Sequence, residues 1–179
     1  MTIPNLLSLL RLLLIPVIIW LYLGRGSHLA AAAIIGISGL TDVADGYIAR
    51  KYNQVSDLGK LLDPLADKLT QMAMLLCLVS RYPALWGLIT LFAVKELSCW
   101  ILGALVICKE HGINSARWFG KVNTVVLYTV LIVLFLFPGI SSSMVNLLIA
   151  VSTAVMALTF FLYSRCHILA LLKPNKKAA

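Results

Sequence analysis

The 179-residue chain is 61% hydrophobic and 12% charged, against roughly 45–50% and 25% in a soluble domain, and this composition excludes an ordinary water-soluble fold. Its formal charge of +8 does not indicate nucleic acid, because the basic residues sit at the ends of apolar segments and are not interleaved with exposed aromatics. Cys77, Cys99, Cys108 and Cys166 each lie in an apolar run without Cys-x-x-Cys spacing, the pattern of packing residues and not of a zinc site or disulfide framework.

A helix needs about 20 apolar residues to cross the hydrocarbon core, and polar breaks divide the chain into six such candidates. The first runs from Ile3 to Leu23, with Pro16 inside it, and ends at the Gly24–Ser27 turn. It lacks a basic leader and a small-residue cleavage site, so it reads as a retained span and not as a signal peptide. The second runs from His28 to Arg50, and the polar segment Lys51–Asp57 separates it from a third, Leu58–Ser80. Tyr82 and Pro83 mark a tight turn before the fourth, Ala84–Cys108, so that consecutive spans form hairpins. A polar stretch with Gly112 and Asn114 precedes the fifth, Arg117–Phe137; Pro138–Ser143 breaks the chain before the sixth, Met144–Leu172. The expected fold is an all-α integral membrane bundle of six transmembrane helices, organised as a single domain over residues 1–179, since no stretch has the length and composition of a linker.

Cytoplasmic loops retain positive charge. Arg50, Lys51, Lys60, Lys109, Arg117, Lys121, Lys173, Lys176 and Lys177 fall on one face, and only Arg25 and Arg81 on the other. Both termini and the two longest polar loops are therefore expected in the cytoplasm. No internal repeat suggests the inverted halves of a transporter.

Five of the seven acidic residues lie between Asp42 and Asp67, and four of these fall inside predicted helices. A carboxylate in a transmembrane helix costs about 2.5–3.5 kcal/mol on insertion scales, so four together require compensation by partners, water or metal. Asp42 and Asp45 are i and i+3, and Asp63 and Asp67 are i and i+4, so each pair shares a helix face. Consecutive antiparallel helices bring both pairs to the same cytoplasmic end. Like charges that close are self-repelling, and hard divalent cations resolve the conflict; oxygen-only ligands suit magnesium, manganese or calcium, and the absence of nearby His or Cys argues against zinc. Magnesium retains waters and substrate phosphates, which points to phosphoryl chemistry and admits two metals. The competing reading, caps or ion-pair partners for Arg50, Lys60 and Lys68, suits the loop residue Asp57 better than the four helical aspartates.

Taken together, Asp42, Asp45, Gly46, Ala49, Arg50, Gly59, Asp63 and Asp67 form eight fixed positions over 26 residues, and this pattern resembles in full the signature of the CDP-alcohol phosphotransferase (CDP-alcohol phosphatidyltransferase) family. The resemblance extends to Asn5, Leu6, Ser8, Arg11 and Pro16 and to the six-helix plan. It implies that Asp42, Asp45 and Asp63 hold two divalent ions, Mg2+ or Mn2+, at the pyrophosphate of a CDP-activated lipid. Asp67 would be a further ligand and the general base, its pKa raised by its neighbours to suit it for taking the acceptor's proton. Gly46, Ala49, Arg50 and Gly59, with Asn5, Ser8 and Ser56, would contact the donor, CDP-diacylglycerol; taken singly, each also reads as a packing, cap or anchor residue.

On the acceptor side, Lys95, Lys121 and Arg165 lie on the fourth, fifth and sixth helices. Relatives with phosphorylated acceptors use basic residues there to hold the phosphate, although snorkelling or pairing with Glu96 accounts for each separately. The string Gly120–Thr124 resembles both the phosphatidylglycerophosphate synthases, where Lys usually replaces Asn123, and the cardiolipin synthases of the same superfamily. The fourth helix offers Lys95–Glu96 where the former usually have Arg-Glu and a further Arg. The acceptor expected is glycerol 3-phosphate, with phosphatidylglycerol as the alternative. The protein is expected to be multi-pass in a bacterial cell membrane with its active site facing the cytoplasm, and the resemblance adds a homodimer, which members of that family often form. A transporter would also place charges within spans, but does not explain paired carboxylates at this spacing on adjacent helices.

Overall fold

The computed structural model describes residues 3–51, 57–110 and 118–172, and within these the side chains of all but 3–5, 40, 42–51, 57–61, 106–110, 170 and 172. The described residues form six α-helices: α1 (Ile3–Ile19), α2 (His28–Lys51), α3 (Asp57–Val79), α4 (Leu85–Glu110), α5 (Trp118–Leu136) and α6 (Ser142–Leu172). The all-helical expectation holds, and the boundaries read from polar breaks differ from these by at most three or four residues.

The largest difference is at the end of the first helix. Pro16 lies within α1, which continues past it to Ile19 and then widens into a π-helical turn, Trp20–Gly24. The backbone N–H of Arg25 closes that turn on the Trp20 carbonyl at 3.1 Å, and Ser27 N–H reaches the Leu21 carbonyl at 3.0 Å. Gly26, at φ 63°, supplies the left-handed residue that reverses the chain into α2. Arg25 lies over the Trp20 ring, 4.5 Å from its centroid.

Among the described residues four stretches are long and apolar enough to cross a membrane: Leu6–Gly24, Leu85–Leu105, Trp118–Leu136 and Ser142–Leu169; a shorter apolar stretch, His28–Gly39, lies in α2. The later part of α2 carries Asp42, Asp45, Arg50 and Lys51, and α3 carries Asp57, Lys60, Asp63, Asp67 and Lys68. These two helices bear the acidic signature.

The chain divides into two compact units, Met1–Pro83 with Leu131–Gly139, and Ala84–Val130 with Ile140–Ala179. In the first, α1 packs against both α2 and α3. Its core includes Ile18, Tyr22, Ala31, Ile35, Met74, Leu75, Leu78 and Phe135. Tyr22 meets Phe135 with ring centroids 4.7 Å apart, and the Arg81 guanidinium donates to the Pro138 carbonyl at 2.8 Å. In the second unit α4 packs against α6, around Leu85, Leu88, Phe92, Ile149 and Met156. Hydroxyls inside helices bond their own preceding turn: Thr70 donates to Ala66, Thr129 to Val125 and Thr159 to Val155, each at 2.7–2.8 Å. Such pairing satisfies polar groups where lipid offers no partner.

Candidate active site

The site is built on α1 and α3. Asp63 and Asp67 occupy successive turns of one face of α3, both half-buried. Pro64, between them, is the eighth residue of α3 and removes one intrahelical hydrogen bond there. The Ser8 hydroxyl of α1, fully buried, donates to Asp63 Oδ1. This contact ties α1 to α3 and fixes one lone-pair direction of the carboxylate, the kind of outer hydrogen bond that orients a metal-binding carboxylate. Arg11, one turn along α1 from Ser8, is also buried, at 3% exposure, and puts a cation on the same face of α1.

Asp42 and Asp45 lie three residues apart in the helical backbone of α2, as the spacing predicts. Their side chains, with those of Asn5, Gly46, Ala49, Arg50 and Gly59, and the whole of Ser56, lie outside the described residues. Among the described residues no group of three or more His, Cys, Asp or Glu side chains gathers as a metal cluster; Asp63 and Asp67 are the two of the four expected ligands whose side chains are described. The donors that are described fit a hard cation: two carboxylates one turn apart, one held by a hydroxyl, with no His or Cys in that part of α3.

The second unit holds the three basic residues singled out for the acceptor. Lys95 is buried, at 4% exposure, and its ammonium meets Glu96 Oε1 at 2.5 Å. Lys121 and Arg165, by contrast, are exposed. Lys121 is only three residues from the start of α5, and long basic side chains near helix ends extend away from the apolar body. Gly120, read only as part of a motif, has a packing reason. A Cβ there would overlap the Tyr163 hydroxyl, and Tyr163 is held between Phe119, edge to face at 4.8 Å, and His167, stacked at 6.0 Å. Asn123, one turn further on, is buried with its Nδ2 lacking a partner.

Two features escaped the sequence reading. Tyr163 lies in an apolar run whose pattern gives no reason to select it. Gln71 is fully buried on α3, one turn past Asp67, and neither its Nε2 nor its Oε1 has a partner. A lone amide in an otherwise apolar stretch was the available signal.

A family model described as CDP-alcohol phosphatidyltransferase matches residues 1–164. Among curated relatives, a cardiolipin synthase (CMP-forming) of Streptomyces coelicolor is 36% identical over 132 residues, covering 69% of this chain and 60% of the relative. A probable phosphatidylglycerophosphate synthase of Mycobacterium tuberculosis is 36% identical over 139 residues, covering 75% and 65%. A CDP-diacylglycerol–glycerol-3-phosphate 3-phosphatidyltransferase of Pseudomonas fluorescens is 42% identical over 88 residues, covering 48% and 45%. The matched stretch thus spans less than two thirds of each of these relatives. With the family model covering most of the chain and the whole acidic signature inside the match, this protein belongs to the CDP-alcohol phosphatidyltransferase family.

Proposed function

We propose that this protein transfers a phosphatidyl group from CDP-diacylglycerol to glycerol 3-phosphate, giving phosphatidylglycerophosphate and CMP. The observation that carries the reading is the seat of Asp63 and Asp67 on one face of α3, with Asp63 held by Ser8, inside the eight-position acidic signature. Asp42, Asp45, Asp63 and Asp67 would hold two divalent ions, Mg2+ or Mn2+. Such ions, when bound, neutralise the donor pyrophosphate and the charge developing on CMP.

The remaining work falls to the chain's own groups. Asp67 takes the proton of the acceptor hydroxyl as that oxygen bonds to the phosphorus bearing the diacylglycerol, and the bridging bond to CMP breaks. Ser8 holds Asp63 in one orientation through its hydroxyl. Arg50 pairs with donor phosphate, and Gly46 and Gly59 leave room for the nucleotide at the helix backbones. Asn5, Ala49 and Ser56 complete the donor contacts. Lys95, Lys121 and Arg165 are assigned to the acceptor phosphate.

We further assign all six helices to the membrane, both termini and the active site to the cytoplasmic side, and residues 1–179 to one catalytic domain. The asymmetry of Lys and Arg supports the orientation, and a single family model over residues 1–164 supports the one domain. The second reading is transfer to phosphatidylglycerol, giving cardiolipin. It is favoured by the Lys95–Glu96 pair, which lowers the uncompensated positive charge and so suits a singly charged phosphodiester better than a more highly charged phosphomonoester. Incubation of purified protein with Mg2+, CDP-diacylglycerol and either acceptor, followed by identification of the lipid product, separates the two. Phosphatidylglycerophosphate supports the first reading, cardiolipin the second, and no CMP release with either contradicts both.

A further inference from the structure

Beyond Asp67, α3 runs on as an apolar helix, and Met74, Leu75, Cys77 and Leu78 are all fully buried. Gln71 interrupts this core. It is 0% exposed, and both polar atoms of its amide lack hydrogen-bond partners. Its neighbour Thr70 is also buried but donates to the Ala66 carbonyl at 2.8 Å, so the local backbone offers an outlet that Gln71 does not use. An amide stripped of water and left unpaired is costly in a membrane interior, and Leu or Met would fill the same volume without that cost. Packing therefore gives no reason for an amide at this position.

Position does. Gln71 is i+4 from Asp67 and i+8 from Asp63, about 40° and 80° around the helix and about 6 Å and 12 Å along it. Helical side chains lean toward the N-terminus, which carries the amide back toward the turn holding Asp67. Asp67 is half-buried and Gln71 fully buried, so Gln71 stands at the closed, deeper end of the acidic face. An amide presents one acceptor and one donor group. A phosphate oxygen uses only the donor, whereas a hydroxyl, which both gives and receives, uses both.

We propose that Gln71 binds the acceptor, taking the secondary hydroxyl of a glycerol unit whose neighbouring primary hydroxyl surrenders its proton to Asp67. The assignment rests on the phosphatidyl-transfer reading and goes beyond it, making α3 a reader of the acceptor as well as a holder of the donor. It applies to either acceptor, since both present a primary hydroxyl beside a secondary one.

The test compares each glycerol acceptor with its analogue lacking the secondary hydroxyl, 1,3-propanediol monophosphate or phosphatidyl-1,3-propanediol, in the unaltered protein and in Gln71→Leu. The unaltered protein is expected to prefer the glycerol acceptor by about 10- to 100-fold in kcat/KM, the range for a buried hydrogen-bonding group left unpaired. Gln71→Leu should lose that preference, mainly through a raised acceptor KM, with the KM for CDP-diacylglycerol unchanged. Its thermal midpoint should be unchanged or higher, because an unpaired amide has been removed. Gln71→Met, flexible and of similar length, gives the same comparison should Leu pack poorly. A variant that keeps the full preference for the secondary hydroxyl, or that loses stability while donor and acceptor constants deteriorate together, overturns the role of Gln71 alone. Absence of CMP release by the unaltered protein with every glycerol acceptor overturns the transferase reading, and the role of Gln71 with it.

Discussion

Asp63 and Asp67, one turn apart on α3, are proposed to do different work. Asp63 is seated by the Ser8 hydroxyl, which suits a fixed ligand; Asp67, one turn on, is assigned the moving proton. Asp67→Asn keeps shape and removes basicity, so turnover is expected to fall by about 10²–10⁴-fold, the usual worth of a positioned base, with metal-dependent donor binding retained. Full activity in that variant, measured as CMP release, removes Asp67 from the proposed role. Ser8→Ala should act differently. Loss of an outer hydrogen bond typically weakens metal affinity by about 10–100-fold, so the Mg2+ concentration for half-maximal rate should rise by that order while the rate at saturating Mg2+ changes little. An unchanged Mg2+ requirement counts against Ser8 as an orienting group. At this scale the sequence was informative where spacing encodes chemistry: the four aspartates stand out because carboxylates are expensive in apolar helices. It was silent on Ser8 meeting Asp63, a contact across 55 residues, and on Gln71, whose burial without partners depends on packing that no local pattern contains.

Among the elements, the helices were legible because Gly, Pro and Ser clusters punctuate the apolar runs. The misplacements have identifiable causes. Ser141–Ser143 read as a breaker, yet serine favours helix starts, and the Val145 N–H already bonds the Ser141 carbonyl at 3.0 Å, so α6 begins at Ser142. The first helix read as running on to Leu23 through Pro16, whereas α1 passes Pro16 and changes to a π-helical turn from Trp20. Gly120 was visible as a motif position and its reason was not, because Tyr163 approaches it from a different helix. Gly120→Ala is expected to lower stability by about 1–3 kcal/mol, the usual cost of overpacking, since Tyr163 cannot withdraw freely between Phe119 and His167. Thermal unfolding in detergent measures this. Tyr163→Phe in the same chain should restore part of the loss by removing the oxygen nearest the added methyl; equal stability of Gly120→Ala and the unaltered protein contradicts the packing assignment.

For the whole molecule, composition and charge asymmetry point to a multi-pass membrane protein, and among the described residues four helices are long and apolar enough to span by themselves. The other two, α2 and α3, carry the acidic signature. Six spans with cytoplasmic termini predict that single cysteines introduced at Arg25 and Arg81, in an otherwise cysteine-free chain, react with an impermeant thiol reagent from the outer face. Cysteines at Lys121 and Lys173 should be protected until the membrane is opened. Labelling of all four from outside contradicts the topology.

The proposed function places four carboxylates on two helices around bound cations, and everything else in it depends on that. CMP release from CDP-diacylglycerol by the purified protein, followed through EDTA treatment and stepwise return of individual metal ions, tests it most directly. EDTA is expected to abolish release and Mg2+ or Mn2+ to restore it, as an oxygen-only ligand set requires. Release that survives complete chelation, or that returns with zinc alone, would contradict it.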